Sequence, residues 1–243
     1  MSQRDLDINL SDGDRPGLVT RLLASCLAGF DTLPDAESIL WDWTIEERLQ
    51  GLLAIARATR AEPPPVETRC SASECRAPMR IDLDLSAFAT PPGRTPIVCD
   101  MAAGERVVAR LPRGLDLRHW RDAGEDTGSL ATRLIESIDG RVPEPGWRLP
   151  QTWLGRLAAS LAERDPLTVL QLSAACPDCG RVNLIDFDLE GWILRLLAEE
   201  QSRLLDDVHG LASTYHWSEA EICALPPWRR RAYLTRVGRE APP

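Results

Sequence analysis

The sequence predicts an α+β fold of two diverged units, each running helix, cysteine turn, strand, followed by a helical C-terminal segment. Three observations carry this. Cysteines occur in two close pairs, Cys70 with Cys75 and Cys176 with Cys179. After each pair a short phrase returns: Ile81-Asp82-Leu83-Asp84-Leu85 and Ile185-Asp186-Phe187-Asp188-Leu189 stand at one constant offset from the second cysteine, the mark of an internal repeat. From Glu190 to Tyr215, Ile193, Leu197, Leu204, Val208, Leu211 and Tyr215 recur at helical steps, with Leu196 and Leu205 widening the apolar face.

Taken along the chain, Thr20-Arg21-Leu22-Leu23 matches Thr132-Arg133-Leu134-Ile135, which extends the repeat upstream. Each match is followed by a helical segment leading to its cysteines, near Thr44 to Arg60 in the first unit and Gln151 to Glu163 in the second. The repeated phrase alternates apolar and acidic residues, the pattern of a strand with one buried and one wet face, so a strand is expected at 81–85 and at 185–189. Arg106 to Leu111 reads as a further strand, and Leu111-Pro112-Arg113-Gly114-Leu115-Asp116 as a turn into a helix with Asp116 as its cap. Glu62 to Pro65 and Val142 to Pro150 are stiff, proline-rich connectors. Ser218-Glu219-Ala220-Glu221 spells a capping box that opens a short helix. Pro226 and Pro227 end that helix, and Trp228 to Val237 forms a last, basic one. The expected division is therefore 1–100 for the first unit, 101–189 for a linker strand and the second unit, and 190–243 for the C-terminal helices.

Composition limits the function classes. With 243 residues, 44% of them hydrophobic, the chain can bury a core without external help. A net charge of −9, with every basic residue an arginine, disfavours non-specific contact with nucleic acid or anionic lipid. The start, Met1 to Asp14, lacks the basic-then-apolar pattern of a secretion signal, and no apolar run approaches the roughly 20 residues of a membrane span. A cytoplasmic protein without membrane contact is expected. In a reducing compartment, close cysteine pairs read as metal ligands rather than disulfides. Cys26, Cys99 and Cys223 stand alone and read as buried small hydrophobes.

Structural zinc takes four thiolate or imidazole ligands, usually as two close pairs on turns. Each unit offers two cysteines, so the expected site is one zinc ion per chain, held by Cys70, Cys75, Cys176 and Cys179 and clipping two zinc-ribbon-like units together across a pseudo-twofold relation. The second pair has the more usual spacing, and Gly180 behind it lets the backbone turn its amides toward sulfur, a role Arg76 fills less easily. A redox role fits poorly, because a strand rather than a helix follows the Cys-x-x-Cys. The three histidines show no metalloenzyme spacing. Asp82, Asp84, Asp186 and Asp188 are explained by a solvated strand face, and neither a phosphate-cradling loop nor a nucleophile elbow occurs. No catalytic activity is expected. At the C-terminal end, Trp217, Trp228, Arg229, Arg230, Arg231 and Tyr233 are of the types enriched at protein-binding hot spots, and an acidic protein face suits them better than nucleic acid.

Several motifs of the C-terminal half come together in a resemblance. They are Asp165-Pro166, Cys176-Pro177-Asp178-Cys179-Gly180, Ile185-Asp186-Phe187-Asp188, Val208-His209-Gly210-Leu211-Ala212, Tyr215-His216-Trp217-Ser218-Glu219-Ala220-Glu221-Ile222 and Arg229-Arg230-Arg231-Ala232-Tyr233-Leu234. With the Leu111 to Asp116 turn, this stretch resembles the T4-type baseplate and baseplate hub assembly proteins of contractile phage tails and bacterial contractile injection systems. The resemblance covers roughly residues 105 to 237, and its most specific part is the Trp-Ser-Glu and Arg-Arg-x-x-Tyr-Leu pattern. It implies a non-enzymatic role in the baseplate, as a structural piece or an assembly factor, with other baseplate or tail proteins as partners. The first unit departs from it, because its Cys-x4-Cys lacks the proline and glycine of the second. The alternative reading is a zinc-ribbon module associated with nucleic acid or transcription, which the cysteine turns suit and the negative charge does not.

Overall fold

The computed structural model describes residues 6–27, 36–60, 62–88, 93–123 and 126–240. Helix α1 (Arg15–Cys26) opens on Asp14, whose carboxylate accepts the Gly17 N–H, with Pro16 in the first turn where its missing N–H costs nothing. Helices α2 (Ala36–Trp41) and α3 (Ile45–Thr59) follow, α3 behind a complete Thr44/Glu47 capping box. Arg48 of α3 ties the three together from the inside. Only 1% exposed, it donates to Thr20 Oγ1, Leu40 O and Pro16 O, and its guanidinium lies 5.3 Å from the centre of the Trp41 ring.

Two hairpins and a small sheet supply the strands. Strand β1 (Val66–Arg69) pairs antiparallel with β2 (Pro78–Ile81), while β3 (Ile97–Asp100), β4 (Arg106–Ala109) and β5 (Ile135–Ile138) form an antiparallel sheet in that order. Helices α4 (Gly114–Ala123) and α5 (Thr127–Thr132) lie between β4 and β5, and α6 (Leu154–Arg164) packs on the sheet through Leu157. The second hairpin is β6 (Gln171–Ala175) with β7 (Val182–Asp186). It runs directly into α7 (Leu189–Tyr215), and α8 (Glu219–Ala224) and α9 (Pro227–Glu240) complete the chain.

Among the described residues, most buried apolar side chains gather in three clusters. Helices α1 to α3 close around the first turns of α7, where Leu189, Trp192, Ile193, Leu196 and Leu197 point inward. The sheet and α6 make a second core around Val107, Ala109 and Leu111, and the third is small, with Cys70, Ala77, Met79 and Cys176 between the hairpins. The Leu111–Asp116 turn joins the first two: Ile45 N–H donates to Pro112 O, and Gly114 N–H to Trp43 O.

Several elements differ from expectation. A strand does follow each cysteine turn, but it lies earlier than expected, at Pro78–Ile81 and Val182–Asp186, so that the repeated Ile-Asp-x-Asp-Leu phrases are strand exits. β2 stops at Ile81, where Asp84 turns back to accept the Ser86 N–H ahead of a 3-10 turn over Leu85–Phe88, and Asp188 is the N-cap of α7. The upstream match is not structural either, since Thr20 to Leu23 lie inside α1 whereas Thr132 ends α5 and Ile135 opens β5. Asp116 does not precede its helix but sits in the first turn of α4, reaching back to the Arg113 N–H and pairing with Arg110. Leu205 is 48% exposed and adds nothing to the buried face of α7. The cores also cut across the divisions at 100 and 189, because β3 pairs with β4 across the first and the start of α7 fills the core of α1 to α3.

Candidate metal centre

Each hairpin carries its cysteines at the turn. Cys70 follows β1, and its N–H donates to Ala77 O across the turn; Cys176 follows β6, with its N–H bonded to Arg181 O. The chain then reverses in the left-handed region one residue past the second cysteine of each pair, at Arg76 with φ 52° and Gly180 with φ 71°. Arg76 thus occupies the position that glycine takes in the second turn, despite the Cβ penalty of that conformation. The two turns share a closing backbone bond and a left-handed reversal, although the first has four residues between its cysteines and the second only two.

All four sulfur atoms lie within 4.8 Å of one another. The contacts cross from hairpin to hairpin: Cys70 Sγ to Cys179 Sγ is 3.7 Å, and Cys75 Sγ to Cys176 Sγ is 3.7 Å. These are free thiols, far outside the ~2.05 Å of a disulfide bond. A tetrahedral metal–thiolate centre with bonds of about 2.3 Å has sulfur–sulfur edges of about 3.8 Å, so the group is placed to hold one metal ion. Cys70 and Cys176 are buried, Cys75 is half-buried and Cys179 is exposed.

The thiols differ electrostatically. Cys176 is drawn down to about 7, chiefly by the Cys179 backbone N–H and then, against desolvation, by that of Asp178. For Cys75 the Ala77 N–H acts downward, yet burial and the crowding by Cys176, Cys179 and Cys70 together push it up to about 12. Four thiols this close cannot all ionise without a cation between them.

Asn183 is the residue that sequence reasoning missed. It is 2% exposed, accepts the Ser71 N–H at 2.7 Å through Oδ1, and donates from Nδ2 to Arg181 O at 2.9 Å. Its Nδ2 also lies 3.5 Å from Met79 Sδ, so one side chain stitches the two hairpins beside the thiols. Apolar patterning gave no mark of it, because its neighbours Val182 and Leu184 are apolar yet exposed while the amide between them is buried.

The remaining candidates separate. Trp217 is half-buried, stacked on Tyr215 at 4.9 Å and edge-on to Tyr233 at 5.0 Å, so Trp217 and Tyr233 fasten α9 to the end of α7. Arg230 is 6% exposed and donates to Leu225 O and Cys223 O, which withdraws it from any binding surface. Trp228 is 70% exposed, and Arg229 and Arg231 are exposed beside it. Cys99 is buried as expected, but Cys26 is exposed and Cys223 only half-buried. His119, His209 and His216 are all exposed, and no described helix is long and apolar enough to cross a membrane. Among known proteins, the chain matches no family model, no curated protein and no solved structure.

Proposed function

We propose that Cys70, Cys75, Cys176 and Cys179 bind one structural zinc ion that clasps the two hairpins, and that the protein is a non-enzymatic structural or assembly factor of a phage-like contractile tail baseplate. The observation that carries the clasp is the crossing of four thiols from turns about a hundred residues apart into one tetrahedron-sized group. Four protein ligands fill tetrahedral zinc and leave no position for substrate or water, which suits a role in shape rather than in chemistry. Zinc is favoured over iron–sulfur chemistry by the short edges, which suit a single ion.

The baseplate reading is supported by the motif resemblance, and its specific residues build one unit. Ser218 and Glu221 cap α8, while Tyr215, Trp217 and Tyr233 lock α9 onto α7. Other tail proteins are the partners it implies. Purified protein is expected to contain about one zinc per chain by elemental analysis, lost in Cys70→Ser and in Cys176→Ser; metal-free protein with intact hairpins removes the clasp. Deleting the coding gene in its host is expected to abolish sheathed particles in electron micrographs. Normal particles in the deletion strain remove the baseplate reading and leave the clasp untouched.

A further inference from the structure

Helix α9 has two unlike sides. Arg230, Tyr233, Leu234 and Val237 turn toward the body, and Leu234 lies so close to α7 that a Cβ on Gly210 would stand 3.2 Å from its methyl. The helical period puts Trp228, Ala232 and Thr235 on the opposite side, at i, i+4 and i+7. Trp228 and Thr235 are exposed there and Ala232 half-buried. Arg231 runs along one margin of this stripe, and Arg229 and Arg236 along the other, all exposed. Of these arginines, only the inward Arg230 has a carboxylate within 4.0 Å among the described residues, that of Asp207. No acidic residue occurs from Pro227 to Val237, in a chain whose net charge is −9.

We propose that this stripe of α9 is a docking surface for an acidic amphipathic helix of a partner protein. Trp228 supplies a large anchor of a kind enriched at hot spots. The small side chains of Ala232 and Thr235 let a second helix approach closely along the middle, the helix-against-helix arrangement that ridge-and-groove packing favours. Arginines on both margins match carboxylates flanking an apolar seam, which fixes the sign of the partner's charge. A long polyanion such as duplex DNA would feel the repulsion of the whole acidic chain, whereas a short helix meets mainly the local basic margins. The surface is independent of the tail reading, because any acidic helix of this pattern fits it.

The test uses the full chain and a fluorescein-labelled peptide of about 18 residues, with leucines at helical spacing and glutamates on both flanks, followed by fluorescence anisotropy. Binding in the tens of micromolar is expected, weakening as salt is raised. Trp228→Ala, and separately Arg231→Glu with Arg236→Glu, are expected to weaken it at least about tenfold with circular dichroism and zinc content unchanged, since these side chains lie outside the buried clusters. The same peptide with lysine for glutamate, and a duplex DNA of roughly 30 base pairs that reaches past the basic margins to the acidic body, are expected not to bind. Absence of saturable binding, equal binding of the lysine peptide, indifference to both variants, or DNA binding through the same residues would each overturn the proposal. None of these results bears on whether the host loses its particles when the gene is deleted.

Discussion

Arg76 and Asp165 are single residues held against their preference. Arg76 is exposed and adopts φ 52°, where a Cβ costs roughly 1–2 kcal/mol, while its counterpart Gly180 has none to lose. Because glycine also loses more freedom on folding, Arg76→Gly is expected to stabilise the protein by at most about 1 kcal/mol in chemical denaturation, whereas Gly180→Ala destabilises it by a similar amount. Asp165 is 3% exposed at the end of α6, with Oδ1 unpartnered; burial, then the nearby Glu46 carboxylate, raise its pKa to about 6, against the Thr168 and Leu167 N–H groups and Arg164. The folded state therefore holds this proton more tightly than the unfolded chain, so its contribution is greatest below about pH 4 and is lost as pH rises through about 6. Asp165→Asn, which keeps an oxygen for those N–H groups, is expected to raise stability at pH 7.5 by on the order of 1–3 kcal/mol and to flatten the pH 4–6 slope relative to wild type. The repeat already set Arg76 opposite Gly180, but nothing local marked Asp165, whose raised pKa comes from burial in the folded body and from Glu46, far away in the chain.

At the scale of elements, the hinge between hairpin and long helix is the Asp188 cap. Its carboxylate accepts the Gly191 N–H at 3.0 Å and also receives the Arg15 guanidinium from α1, which reaches Glu190 as well. A Cβ on Gly191 would stand 2.3 Å from Asp188 Oδ2, so a larger residue there would displace the capping carboxylate. Asp188→Ala should cost about 1–2 kcal/mol for the cap and a smaller sum for the half-exposed ion pair. Ser218→Ala, which removes a cap on the six-residue α8 alone, is expected to cost about 1 kcal/mol, and urea melts of the two variants rank them. These caps were readable at Ser218, where Ser-x-x-Glu stands before a helix, but not at Asp188, whose alternation with apolar neighbours imitates a strand. The same imitation displaced the expected strands. Val66–Arg69 and Gln171–Ala175 alternate in burial but are only four and five residues long, and become strands because the cysteine turns return a partner alongside them.

For the whole molecule, the separation of the thiol cluster from the two larger apolar cores sets what metal removal does. Met79, Ala174 and Asn183 offer little apolar area to hold the hairpins together without the clasp. Chelation is expected to loosen residues 66–81 and 171–186 in hydrogen exchange, while protection in α3, α7 and β4 stays near its starting value. Loss of protection throughout would mean that the clasp supports the cores themselves. Because thiolates are the ligands, zinc affinity is expected to fall as pH drops, a trend opposite in sign to the Asp165 contribution and separable from it by comparing Asp165→Asn with wild type.

The sequence alone determined the two cysteine pairs, the long helix from Glu190 to Tyr215, the Ser218 capping box and the basic last helix, because each is written in spacing over a few turns of chain. Tertiary structure decided that the pairs meet, that Arg76 copies Gly180, that Asn183 bridges the hairpins, and that Trp217, Tyr233 and Arg230 turn inward while Trp228 faces solvent. The physical reason is range. Periodicity and capping act between neighbours in the chain, whereas the thiol crossings and the face presented by α9 depend on which surface packs against which, across separations as long as 109 residues.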